Sequence, residues 1–216
     1  MIRAVISDFG GVLTSPLSAS FQAFADRSGI TLAMMGEALS GLLARDGVHP
    51  LHELECGRMT EGEFASRLQA ALGEAAGREV ALAGFAELLS DLLPNEPMIE
   101  LMASLRGEGY RMGLLTNNVR EWEQRWRAMA PIDEIFDVVV DSAFVGMRKP
   151  DAEIYKLCAA RLGVRPEECL FVDDRADNCA GAVAVGMTAV RYHDLEQAVG
   201  EIRALLGDGD GGSRGG

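Results

Sequence analysis

Four short apolar runs in this chain each stop abruptly at a polar or charged residue, and that repeated stop constrains the fold more than any other feature. The first, ending Ala4-Val5-Ile6-Ser7, stops at Asp8 and is followed by Phe9, Gly10 and Gly11. A second ends Leu114-Leu115 and stops at Thr116, Asn117 and Asn118. The run Phe136 to Val140 is followed by Gly146-Met147-Arg148-Lys149-Pro150, and Leu170-Phe171-Val172 stops at Asp173 and Asp174. Near-continuous apolar runs of this length read as strands buried on both faces, the pattern of a parallel sheet between layers of helices. In such sheets the ligand crevice lies outside the carboxyl ends of the strands. A carboxylate, a hydroxyl, an ammonium and an acid pair would then face one crevice, with Asp8 as candidate nucleophile or metal ligand. A lone aspartate after one strand more often just turns the chain, so the weight rests on its partners.

The segments between these runs have helical spacing. From about Ser18 to Leu93 the apolar positions recur at three and four, as in Phe21, Phe24 and Ala25, or Phe64, Leu68 and Leu72, which predicts four or five short helices. Thr60 and Glu63 have capping-box spacing and fix one helix start. Further helices are expected over 96–106, 119–129, 151–162, 176–185 and 194–206, with strands over 111–115, 136–140, 169–172 and 187–192. Trp122 and Trp126, one helical turn apart, read as packing residues. The alternation gives an α/β class with a parallel sheet core over 1–15 and 94–207, interrupted by a helical insertion over 16–93. Residues 208–216 are glycine-rich and predicted to be disordered.

A chain of 216 residues with 48% hydrophobic content can bury a core of this size. Its net charge of −13 argues against nucleic acid or an anionic membrane as partner, and it would also repel a phosphate ester unless a lysine and a metal supplied local positive charge. No apolar run is long enough to span a bilayer and no leader pattern opens the chain, so a cytoplasmic location is expected. Cys56, Cys158, Cys169 and Cys179 lack metal-site spacing and read as reduced, mostly buried thiols.

The ordered set Asp8, Thr116, Lys149 and Asp173/Asp174 resembles the four sequence motifs of the haloacid dehalogenase-like (HAD) superfamily, and the second half of the chain looks most like the phosphatase domain at the N-terminus of soluble epoxide hydrolases. The resemblance implies a Rossmann-like core with a small helical cap of the first subclass over Asp8. It also implies Mg²⁺ held by Asp8, Asp174 and the backbone carbonyl of Gly10, with Asp173 in an outer position or bound through water. Which acid of the pair contacts the metal stays open. Thr116 and the Asn117 amide, with Gly10, Gly11 and Lys149, would bind a small phosphorylated substrate, and Asn178 would orient Lys149. The substrate's leaving group would face the cap and the loop Thr14-Ser15-Pro16-Leu17. Cap residues His52, Glu53, Glu55 and Arg58 are polar candidates there, although such a cluster is more often a solvated face. Oligomeric state is not legible.

One position departs from the pattern. Where phosphatases of the superfamily carry a second aspartate, two residues after the nucleophile, this chain has Gly10. General acid–base help is worth about 10²–10⁴-fold, so its loss should slow ester hydrolysis without abolishing metal binding. A glycine can also be demanded by a backbone with φ above zero. Three readings follow: a Mg²⁺-dependent phosphatase working through an aspartyl-phosphate at Asp8, a non-catalytic protein that binds a phosphorylated ligand, and a dehalogenase-type hydrolase. The retained acid pair argues against the last.

Overall fold

A computed structural model describes residues 1–82 and 85–207, without the side chains of 85, 86 and 88; the predicted tail 208–216 and two residues of the insertion lie outside the described residues. Five parallel strands form one sheet in the order β3-β2-β1-β4-β5: β1 (Ala4–Ser7), β2 (Arg111–Thr116), β3 (Val138–Asp141), β4 (Cys169–Asp173) and β5 (Thr188–Arg191). The period-two alternation of a strand divides their side chains between two cores. Val5, Met112, Leu114, Leu170 and Val172 point to one face, and Ala4, Ile6, Leu115, Cys169 and Phe171 to the other.

Eleven helices surround the sheet among the described residues. Between β1 and β2 stand α1 (Leu17–Arg27), α2 (Leu32–Asp46), α3 (Pro50–Glu55) and α4 (Glu61–Ala76), then a 3₁₀ turn over Phe85–Asp91 and α5 (Glu96–Gly107). After β2 come α6 (Glu123–Arg127), α7 (Ile132–Ile135), α8 (Ser142–Val145), α9 (Ala152–Leu162), α10 (Ala176–Ala184) and α11 (Leu195–Leu206). Helices α5 and α11 cover the first face through Met98, Leu105, Ala198 and Ile202. Helices α9 and α10 cover the second through Ile154, Tyr155, Cys158 and Ala182. Gly113 of β2 lets α9 approach closely, since a Cβ there would lie 3.0 Å from Leu162 Cδ1 and 3.2 Å from Cys158 Sγ.

Helices α1 to α4 share the first core. Phe9, just past β1, packs at 5.2 Å against Trp126, and the same apolar cluster continues into Phe24, Leu54, Phe64 and Leu68. The helical segment leaves and rejoins the sheet at one place. Ser15 N donates to Leu93 O at 2.8 Å and Asn95 N to Leu13 O at 2.9 Å, pairing outgoing and returning chain antiparallel. The Thr60/Glu63 capping box starts α4.

The elements depart from the sequence reading at three places, each with a local cause. Residues 119–129 do not form one helix: a 3₁₀ turn over Arg120–Trp122 precedes a short α6, and both tryptophans are buried. β3 begins at Val138 rather than Phe136, because Ile132–Ile135 winds into α7 and Asp137 then pairs with Met112 through both backbone and carboxylate. The short α8, capped by Asp141 Oδ1 on Ala143 N at 2.9 Å, had no counterpart in the sequence reading. All four cysteines are buried and free, and burial pushes Cys179 up to about 11. No helix among the described residues is long and apolar enough to cross a membrane.

Asp141 yields a stability prediction. It is 5% exposed, its Oδ2 has no hydrogen-bond partner, and burial pushes its carboxyl up to about 6. The folded state therefore binds this proton more tightly than the unfolded chain, so the associated stability is present at low pH and is lost as pH rises from about 4 to about 6. Asp141→Asn has no such proton to lose. Chemical denaturation should find the variant's stability relative to wild type improving by about 1–3 kcal/mol between pH 4 and pH 7.5. A pH-independent difference would refute the assignment.

Candidate active site

The strand order reverses direction on either side of β1, which places a crevice between the carboxyl ends of β1 and β4. Asp8 follows β1 directly, and its N–H still donates to Val172 O of β4 at 2.8 Å. Thr116 closes β2 and Asp173 closes β4, the strands flanking β1. The sheet alone thus brings a carboxylate, a hydroxyl and an acid pair to one edge.

Lys149 arrives from the loop after α8 and ties the edge together. It is 1% exposed, and Nζ lies 2.7 Å from Asp8 Oδ1 and 2.7 Å from Asp173 Oδ2. Two buried carboxylates raise the ammonium's pKa despite a desolvation that opposes it, so Lys149 stays charged. Its backbone is held as firmly as its side chain. Asn117 Oδ1 accepts from Lys149 N at 2.8 Å, and Asn117 Nδ2 donates to Lys149 O at 3.0 Å. The Asn117 side chain thus has a positioning task beyond the substrate contact expected of its amide.

The acid pair divides its labour. Asp173 is fully buried and accepts four hydrogen bonds from three donors: Lys149 Nζ on Oδ2, Arg175 N on Oδ1 at 2.9 Å, and Asn178 Nδ2 on Oδ1 at 3.0 Å and on Oδ2 at 3.1 Å. Asn178 was expected to orient Lys149, and it touches Asp173 instead, acting on the lysine through that carboxylate. Asp174 is only partly buried and faces Gly11, whose φ is +81°. A Cβ on Gly11 would stand 2.6 Å from Asp174 Oδ2, so only glycine leaves that space.

Asp8, Asp173 and Asp174 each offer an oxygen within 4.8 Å of the others. Burial is the main cause that raises Asp8 well above the usual carboxylate range; Lys149 opposes it, and the two other aspartates add to it. Burial and Asp173 also raise Asp174. Phe9 N donates to Asp8 Oδ1 at 2.7 Å, so both contacts described for this carboxylate fall on one oxygen. Gly10 does not have a positive φ, which answers the backbone question raised by the sequence.

Sequence reasoning undervalued two residues. Glu55, at the end of α3, pairs with Arg148 Nε at 2.6 Å, and its carbonyl accepts from Ser142 Oγ at 2.5 Å. Glu55 is therefore no part of a solvated face. Arg58 bonds both Glu53 and the Gly146 carbonyl, and His52 stacks on His49 at 4.5 Å. Burial, with Arg148 nearby, lowers His52 to about 4, so it is neutral at pH 7. The position of Arg148 next to Lys149 was the one available hint.

A parallel five-stranded sheet with a lysine bridging the aspartates after its first and fourth strands defines a class of α/β hydrolase. A family model for haloacid dehalogenase-like hydrolases matches residues 2–186, and the chain belongs to that family. It is 30% identical over 214 residues to acyl-CoA dehydrogenase family member 10 of Mus musculus, covering 95% of this chain and 19% of that protein. It is 28% identical to sesquiterpene phosphatase astK of Aspergillus oryzae, covering 95% and 97%. Bifunctional epoxide hydrolase 2 of Sus scrofa is 31% identical over 127 residues, 57% of this chain and 23% of that one. The chain thus spans about a fifth of the mouse and porcine proteins. Among solved structures, a HAD-like family hydrolase from Porphyromonas gingivalis aligns with TM-score 0.69 at 28% identity, covering 95% and 98%. The HAD family enzyme BT-2542 of Bacteroides thetaiotaomicron, in an Asp12Ala form complexed with magnesium and inorganic phosphate, aligns with TM-score 0.65 at 21% identity, covering 89% and 95%.

Opposite stability effects are expected at the two ends of the bridge. Lys149→Met leaves Asp8 and Asp173 buried without their cation and should cost on the order of 3–5 kcal/mol at neutral pH. Asp8→Asn removes a carboxylate whose ionised form the fold disfavours, and should stabilise the metal-free protein at pH 7–8. Urea unfolding of both variants in chelator checks the pair, and a destabilised Asp8→Asn would contradict the electrostatics above.

Proposed function

We propose that this chain is a Mg²⁺-dependent phosphatase of small phosphate esters, with Asp8 as nucleophile. The observation that carries the reading is the division between Asp173, saturated by three donors, and the half-buried Asp174, whose carboxylate is left beside Gly11. One acid is spent on Lys149 and the other is left for a cation. Relatives that include a named phosphatase support the same reaction, as does the structural neighbour solved with magnesium and phosphate.

The residues fit a hard divalent ion. Three carboxylates against one ammonium leave the edge with excess negative charge, all donors are oxygens, and Mg²⁺ favours one or two carboxylates completed by water and phosphate. Asp8, Asp174 and the Gly10 carbonyl would hold it, with Asp173 outside the direct shell. When bound, Mg²⁺ would neutralise charge on the substrate phosphate and on the Asp8 carboxylate.

The remaining steps fall to the chain itself. Lys149, locked between Asp8 and Asp173, holds positive charge where a phosphate dianion must approach an anionic nucleophile. Asn117 fixes that lysine's backbone, and Asn178 and the Arg175 N–H fix Asp173. Thr116, at the end of β2, would donate to a phosphate oxygen. An Asp8 oxygen attacks phosphorus, the bond to the leaving oxygen breaks, and the aspartyl-phosphate is then hydrolysed by water. The helical insertion 16–93 acts as the cap over this edge, with α3 stapled to the Lys149 loop through Glu55–Arg148 and Arg58–Gly146.

The test is hydrolysis of p-nitrophenyl phosphate with Mg²⁺, then with excess chelator. Turnover should vanish with chelator and return with Mg²⁺, and Asp8→Asn should lower it by at least about 10³-fold while remaining folded. Metal-independent turnover, or full activity in Asp8→Asn, would overturn the proposal.

A further inference from the structure

In a HAD phosphatase the residue at position 10 would be the proton donor, and here the side chain that stands beside that space is apolar. The three atoms nearest a Cβ built on Gly10 all belong to Leu17, with Cδ1 at 3.0 Å, Cγ at 3.4 Å and Cδ2 at 3.7 Å, and that residue is 38% exposed. Leu17 is the first residue of α1, part of the loop that leads from β1 into the helical insertion. The Gly10 backbone is not in the left-handed region, so conformation does not force glycine there; a larger residue would press on the Leu17 side chain.

The acids beside Asp8 are committed. Asp8 is the nucleophile, Asp173 is saturated by Lys149, Asn178 and Arg175, and Asp174 belongs to the cation. Glu55, the acid that reaches this region from α3, is paired to Arg148 at 2.6 Å. A leaving alkoxide beside Gly10 would therefore depart next to an apolar side chain, with none of these acids free to give it a proton.

Resting on the phosphatase reading, we infer that the site is built for phosphoryl groups whose leaving oxygen needs no protonation by the protein: a phenol, an enol or another phosphate, and not a simple alkyl alcohol. In the step, the Asp8–phosphorus bond forms as the phosphorus–oxygen bond breaks. The electron pair leaves with the oxygen, and any proton it later acquires comes from bulk water. Water then splits the acyl phosphate, its oxygen going to phosphorus and one proton to solvent.

The experiment is a leaving-group series with Mg²⁺: p-nitrophenyl phosphate, less activated aryl phosphates, phenyl phosphate and an alkyl phosphate. It is read as kcat/KM, which reports the step from free enzyme and substrate through the first transfer, so slow hydrolysis of the acyl phosphate does not mask it. Since a general acid is worth about 10²–10⁴-fold, kcat/KM should fall by at least about 10²-fold from p-nitrophenyl to phenyl ester, and further for the alkyl ester. Gly10→Asp combined with Leu17→Ala, which makes room for the new side chain, should recover the phenyl ester preferentially. Glu55→Gln should leave the slope unchanged.

A flat wild-type series overturns the inference while leaving the phosphatase intact. So does a slope that steepens in Glu55→Gln, which would make Glu55 the acid. A folded double variant that keeps the wild-type slope refutes the assignment to Gly10 and Leu17. Absence of turnover on every ester, with Mg²⁺ present, removes the phosphatase reading itself.

Discussion

The burial of one ammonium between two carboxylates is the constraint on which the rest of the site depends. Lys149 Nζ, at 2.7 Å from both Asp8 and Asp173, holds two strand ends at a fixed separation although they are joined by no covalent element. Such a cation is costly to desolvate, and it is tolerated only where geometry and further hydrogen bonds are good. That requirement explains the surrounding polar atoms. Asn117 secures the lysine's backbone, Asn178 and the Arg175 amide secure Asp173, and Phe9 N secures Asp8. The lysine and both carboxylates are thus held in fixed positions by their neighbours.

The same loop connects the site to the helical insertion. Gly57 sits with φ of +66° against the Ala143 carbonyl, which also accepts from Arg120 Nη2 at 2.6 Å. Arg58 and Glu55 then bind Gly146 and Arg148, the residues just before Lys149. A displacement of α3 is therefore felt at Arg148, next in the chain to the lysine that bridges the site. The apolar continuity from Phe9 through Trp126 into Phe24 and Leu54 reinforces that connection from the other side of the segment.

Much of this was legible because it follows from backbone logic. An apolar run that stops at Asp8, and others that stop at Thr116 and Asp173, put those residues at the crevice of any parallel sheet, so the edge could be assembled without coordinates. What could not be read were relations that depend on side-chain geometry across the chain. Asn178 was linked to the lysine only through the family resemblance, and nothing in its sequence position shows that it bonds the Asp173 carboxylate. Glu55 and Arg148 are 93 residues apart, and no local pattern distinguishes such a pair from two solvated charges. Strand β3 was shifted by two residues because Asp137 imitates a strand residue with its carboxylate, a substitution that propensity cannot see. Gly10 was ambiguous between a conformational and a chemical reason until the positive φ proved to belong to Gly11.

The charge balance then closes on the metal. A chain of net charge −13 has no general attraction for a phosphate ester, and around Asp8 the local deficit is worse, with three aspartates sharing one lysine. Burial raises the pKa of Asp8 and Asp174, which records how unfavourable it is to ionise both beside Asp173. A divalent ion reverses that unfavourable term, because the same clustering that destabilises the free carboxylates supplies its ligands. The clustering of these acids thus favours a bound cation. Gly11 leaves room for Asp174, and the nearest neighbour of Gly10 is the apolar side chain of Leu17, so the polar groups of the edge gather around Asp8, Lys149 and the acid pair.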